Sequence, residues 1–129
     1  MKTRKAVEIA LVLKDKVGVL ASVCEILAKA GVNIEAMCGY SCGETANLTI
    51  VADKTAKALA AFKKAGIRAK TGKVLMVEMP NKTGALADAG KRLEKAGVSV
   101  EYLYATTCGR NGRVVMCARN LEKMARALA

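Results

Sequence analysis

Shifted by 66 residues, the sequence falls on itself. D-K-V-G-V-L at 15–20 meets N-K-T-G-A-L at 81–86, L-A-K-A-G-V-N-I-E at 27–35 meets L-E-K-A-G-V-S-V-E at 93–101, and Cys42-Gly43 meets Cys108-Gly109. Positions 15–43 and 81–109 share 12 of 29 residues without a gap, where unrelated stretches would share about two. Two copies of one pattern call for two copies of one supersecondary unit, and the chain of 129 residues leaves about half its length to each. A unit that small buries a modest share of its surface and gains by packing on a second. The expected division is 1–72 and 73–129.

Each copy reads as strand, helix, strand, strand, helix. The first strands, at 7–13 and 74–79, are short apolar runs ended by charge or by Pro80. Helices follow at 18–30 and 84–96. Their stripes are Leu20, Val23, Cys24, Leu27 and Ala30, and then Leu86, Ala89, Gly90, Leu93 and Ala96, which recur on one helical face. Gly31 and Gly97 stand where a helix end needs a left-handed residue. Second strands at 32–40 and 98–106 alternate with period two. Cys42-Gly43 and Cys108-Gly109 turn the chain into third strands at 46–52 and 112–118. Second helices run over 54–65 and 120–128, with Ala58, Leu59 and Phe62 matched by Met124, Ala125 and Leu128.

This order predicts an α+β fold: two units, each an antiparallel sheet with helices on one face. Apolar residues are 53% of the chain and aromatics 3%, so the core must be aliphatic. Met37, Leu103 and Val51 or Val115 are candidates for an apolar patch on the other sheet face, which a homodimer or a joined two-unit sheet would bury. Copy one continues through Gly66 into a short strand at 67–70. Copy two reaches Ala129 without room for one, so the second unit lacks its last strand. Either 67–79 serves both units as one ribbon, or the open edge meets another chain, because an unpaired edge invites pairing.

The apolar strand, the D/N-K-x-G-x-L loop, the amphipathic helix and the K-A-G-V-N/S-I/V-E turn resemble the ACT domain, and they do so twice, over 7–72 and 74–128. The resemblance implies two ferredoxin-like βαββαβ units. It also implies a non-catalytic regulatory protein that binds a free amino acid or similar small ligand at an interface between ACT units and assembles as a homodimer. In that family the ligand meets the loop between first strand and first helix. Here the loop is Asp15, Lys16, Val17, Gly18, Val19 and Leu20, and in copy two Asn81, Lys82, Thr83, Gly84, Ala85 and Leu86. The facing wall comes from the second strand of a partner unit. The physics suits the role. Gly18 and Gly84 lack a Cβ and let a ligand approach the backbone, and a helix N-terminus favours a carboxylate. Asp15 or Asn81 can accept from an ammonium group. The same residues would equally serve helix capping and a tight turn.

Other chemistry finds little footing. There is no histidine, the commonest general base and metal ligand. No Walker loop, G-x-G-x-x-G or G-x-S-x-G occurs. Glu35 and Glu101 match because the chain repeats, which is explanation enough for the pair. Cys38, Cys42 and Cys108 are a poor match to a four-ligand zinc site, and Cys24 and Cys117 look like small apolar fillers. No cofactor or metal is expected. The net charge of +11 makes a basic nucleic-acid-binding module on the same scaffold the alternative, but the third strands carry no aromatic to stack a base. Lys2, Arg4 and Lys5 before an apolar stretch mimic a signal peptide, yet Glu8 interrupts the stretch and it has a mid-chain counterpart, so it reads as a strand. No run approaches a membrane span, and five cysteines without a paired framework fit a reduced, cytoplasmic protein.

Overall fold

The computed structural model describes residues 1–129. In chain order the elements are β1 (Lys2–Lys14), α1 (Val19–Lys29), β2 (Ile34–Cys42), β3 (Thr45–Ala52), α2 (Thr55–Lys64), β4 (Ala69–Pro80), α3 (Ala85–Lys95), β5 (Tyr102–Cys108), β6 (Asn111–Cys117) and α4 (Leu121–Leu128). No helix is long and apolar enough to cross a membrane. Two compact units result, Val7–Gly72 and Met1–Ala6 with Lys73–Ala129. Each has the ferredoxin-like βαββαβ pattern.

In the Val7–Gly72 unit the strand order is β2-β3-β1-β4. β3 pairs antiparallel with β1 and with β2. Alternation along β1 and β3 sends Ile9, Leu11, Leu48 and Ile50 into a core with Val23 and Leu27 of α1 and Ala58 and Phe62 of α2, one face of each strand against one stripe of each helix. Three of the four helices stop in the same way. Gly31, Gly66 and Gly97 have φ of 72°, 74° and 68°. The residue after each donates its N–H back to the C3 carbonyl: Val32 to Leu27, Ile67 to Phe62 and Val98 to Leu93, all at 2.9 Å. This closes orphan carbonyls and brings an apolar side chain back onto the core.

The other unit has the order β1-β4-β6-β5, with β6 antiparallel to β4 and to β5. Leu75, Val77, Ala89, Leu93, Val114, Met116, Met124 and Leu128 form its core, with Met1 packed against it. No strand follows α4. Residues 2–6 lie beside β4 in its place: Arg4 Nη2 donates to Met76 Sδ at 3.0 Å, and Lys5 pairs with Glu122. At the 66-residue offset, 2–6 correspond to 68–72, which close the first unit. β1 and β4 are therefore repeats of each other, each split between the two units. The strand expected at 7–13 begins at Lys2. Its first residues are polar because they form an outer strand, where Lys and Arg discourage further pairing.

Two apolar assignments change. Leu20 and Leu86, expected on the buried stripes of α1 and α3, are 58% and 42% exposed; the helices turn Val23 and Leu27, and Ala89 and Leu93, into the cores instead. Met37, expected in an apolar patch on the other sheet face, lies opposite Ile50 and packs against the first core instead; Val51 and Val115 are buried within the chain, while Leu103 stays exposed.

Candidate functional site

The loop after β1 is shaped by Gly18. Its φ of 94° places it in the left-handed region as the N-cap of α1, and no side chain caps the helix. Gly84 does the same for α3 with φ 88°. The glycines are there for backbone conformation, since a Cβ at either would meet nothing within 4 Å. Asp15 and Asn81 do not cap the helices. The Asp15 N–H donates to Glu44 O at 2.7 Å and the Asn81 N–H to Arg110 O at 2.9 Å, so each loop is tied to the hairpin turn of its own unit. Val19 N–H reaches back to Lys16 O at 3.3 Å and Ser22 N–H to Gly18 O at 2.9 Å. The first-turn amides of Leu20 and Ala21 are left open, as helix geometry requires.

Beside the first loop lies a cleft of about 530 Å³. Asp15, Lys16, Gly18, Val19 and Leu20 form one side; Met37, Gly39, Tyr40 and Ser41 of β2 form the other, with Ala46 and Leu48 of β3 between them. The fully exposed Val17 is not part of it. Gly39 is required by packing, because a Cβ there would stand 2.8 Å from Leu48 Cδ2. The lining is apolar along Val19, Leu20, Met37 and Leu48. It is polar at one rim, where Asp15, Lys16, Tyr40 and Ser41 carry two charges of opposite sign and two hydroxyls. Such a mixture holds a small molecule by shape and fixes its orientation with few polar groups.

The equivalent cleft in the second unit is smaller, about 380 Å³. Asn81, Lys82, Ala85 and Leu86 face Ala105, Thr106 and Thr107 of β5 across Gly112 and Val114. Thr83 and Gly84 line an adjoining cleft of about 440 Å³ with Met1, Asp88 and Arg92, and the two clefts share Met79, Pro80, Lys82 and Ala85. Gly39, Tyr40, Ser41, Ala46 and Leu48 were not named as cleft residues from sequence, and Met37 was expected in an apolar patch rather than here. The usable signal was an exposed tyrosine in an otherwise aromatic-poor chain. No disulfide joins any of the five cysteines, and no three Cys, Asp or Glu residues are grouped to hold a metal ion.

A family model described as the ACT domain pair matches residues 5–128. The chain belongs to the ACT domain pair family. Among solved structures, a protein from Bacteroides thetaiotaomicron superimposes on this ACT domain pair with a TM-score of 0.91 at 28% identity, covering 98% of this chain and 88% of that one. The regulatory subunit of aspartate kinase from Thermus thermophilus shares the fold at a TM-score of 0.70 and 18% identity, covering 98% and 93%. That of Thermus flavus does so at 0.64 and 18%, covering 99% and 95%. No curated protein matches the chain.

Proposed function

We propose that this ACT domain pair is a non-catalytic regulatory protein of the cytoplasm. It binds a free amino acid, or a small molecule of similar build, in the cleft beside the β1–α1 loop. The observation that carries the reading is the cleft itself. Leu20 and Tyr40 are large and apolar in part, yet both are exposed on its two sides, where they do nothing for the core. The Asp15 carboxylate suits an ammonium group and Lys16 a carboxylate, while Met37 and Leu48 suit an aliphatic side chain. Likeness in fold to the regulatory subunit of an aspartate kinase supports a regulatory role, with output through a partner protein or through assembly. A homodimer that laid a second copy's strand over the open side would cover Val17, Leu20 and Tyr40 and enclose the ligand.

Screening the twenty amino acids by thermal shift tests the reading. A ligand present at 100 times its dissociation constant stabilises the folded state by about 2.7 kcal/mol, and Leu20→Lys should remove the shift while leaving the unliganded melting temperature nearly unchanged. No rise with any amino acid would overturn the proposal. Sedimentation with and without the active ligand reads the assembly: a chain that stays monomeric throughout sinks the homodimer.

A further inference from the structure

Because the chain repeats, each unit serves as a reference for the other. In the first unit Asp53, between β3 and α2, seats its carboxylate on the backbone of Asn33: the Asn33 N–H donates to Asp53 Oδ1 at 2.9 Å. The Asp53 N–H returns a bond to Asn33 O at 3.0 Å. This clasp joins the segment leaving α1 to the segment entering α2.

At the 66-residue offset Asn33 becomes Ser99 and Asp53 becomes Arg119. The carboxylate is gone and a guanidinium stands in its position. Neither half of the clasp is made; the Ser99 N–H has no acceptor, and β5 begins only at Tyr102. A cleft of about 400 Å³ opens there, lined by Gly97, Ser99, Glu101, Arg119, Asn120 and Lys123. The Arg119 and Lys123 side chains form no ion pair. The Lys123 ammonium lies over Gly97, 3.8 Å from where a Cβ would stand. Two unpaired cations, a hydroxyl and an open amide therefore surround a place where the sister unit holds a carboxylate. Glu101 is the one acidic group in the lining, so the charged side chains sum to a single positive charge. That balance suits a monoanion better than a dianion.

We propose that this cleft, separate from the one beside the β4–α3 loop, binds the carboxylate of a small molecule. The carboxylate is seated on the Ser99 amide and paired with Arg119 and Lys123, as Asp53 is seated on Asn33. Charge-assisted bonds of this kind are the strong ones, and the pairing would be sensitive to salt because the groups are exposed.

The probe is acetate, titrated into the full chain at constant ionic strength against chloride and followed by the backbone amide resonances. A saturable shift at Ser99 with acetate, absent with chloride, is expected. Arg119→Asp rebuilds the internal carboxylate and should abolish the response while moving the Ser99 amide toward its bound position. Lys123→Ala should weaken the response several-fold at an unchanged melting temperature, which keeps the test decisive if Arg119→Asp folds poorly. Equal effects of acetate and chloride, or a full response in Lys123→Ala, overturn the proposal. Saturation by inorganic phosphate at lower concentration than by acetate overturns the assignment to a carboxylate.

Discussion

In the first unit the loop after β1 ends its strand with Asp15, whose carboxylate makes no hydrogen bond; in the second the equivalent Asn81 gives its side-chain N–H to Gly109 O at 2.9 Å. The first cleft is walled by Tyr40 and Ser41, the second by Thr106 and Thr107, and their volumes are about 530 and 380 Å³. The backbones follow one plan, with left-handed glycines at both loops. The difference is in what the polar group does. Asn81 is spent on holding its own loop to the β5–β6 turn, whereas Asp15 is held by its backbone alone and keeps its side chain for something else. Duplication preserved the scaffold twice and left the chemistry to diverge.

The largest effects should test whether the scaffolds really are equal. Phe62 and Leu128 are equivalent and fully buried. Phe62→Ala should cost about 3–5 kcal/mol and Leu128→Ala about 2–5 kcal/mol by chemical denaturation. A loss below about 1 kcal/mol at Leu128 would mean that the second core does not share in the cooperative transition. Next, Gly18→Ala and Gly84→Ala should each cost about 1–2 kcal/mol through the left-handed conformation, and the two costs should match. Only Gly18→Ala should also weaken the amino-acid response.

At the polar pair the comparison should break. Asn81→Ala gives up a side-chain hydrogen bond and should lose about 1 kcal/mol, while Asp15→Ala should leave stability nearly unchanged and remove ligand binding. Equal stability losses would erase the distinction between the clefts. The smallest effect belongs to a pair that only one unit carries. Lys5 and Glu122 correspond to Thr71 and Ala56 in the other half. The hydrogen bond and charge of Lys5 hold the Glu122 carboxyl below its usual value of 4.5. A depressed carboxylate contributes stability above its unfolded value and loses it as pH falls through the folded one. Glu122→Gln should therefore lower stability slightly at neutral pH, where the pair is charged, and the difference should vanish as pH falls below 4.5, which flattens the acid limb.

Much of the fold was legible because the repeat and the glycines act locally. A helix that ends on Gly31 or Gly97 announces itself, since left-handed backbone is cheap only there. The first half of β1 was not legible. Lys2, Arg4 and Lys5 look like a charged leader, and their place as an outer strand depends on β4, some 70 residues away. Leu20 and Leu86 fit the helical period of the core, but period locates a stripe without fixing its edge, and these leucines fall just outside it. For the cleft, the loop residues were visible as a motif. Met37, Tyr40 and Ser41 were not, because which face of β2 meets the loop is decided by pairing with β3, displaced by a register shift between Ile34 and Ala36.

The division of β1 and β4 decides where this chain can be cut and rejoined. The repeat and the compact unit are out of phase by six residues, so a cut between 72 and 73 releases a second half that has left one of its strands behind. Moving residues 1–6 to follow Ala129 would put that half in one continuous stretch. The four residues 65–68, which carry the chain from α2 into β4, show how short the new joint needs to be. A circularly permuted gene of this kind would encode the second unit as a free-standing polypeptide; the simple half-gene would not.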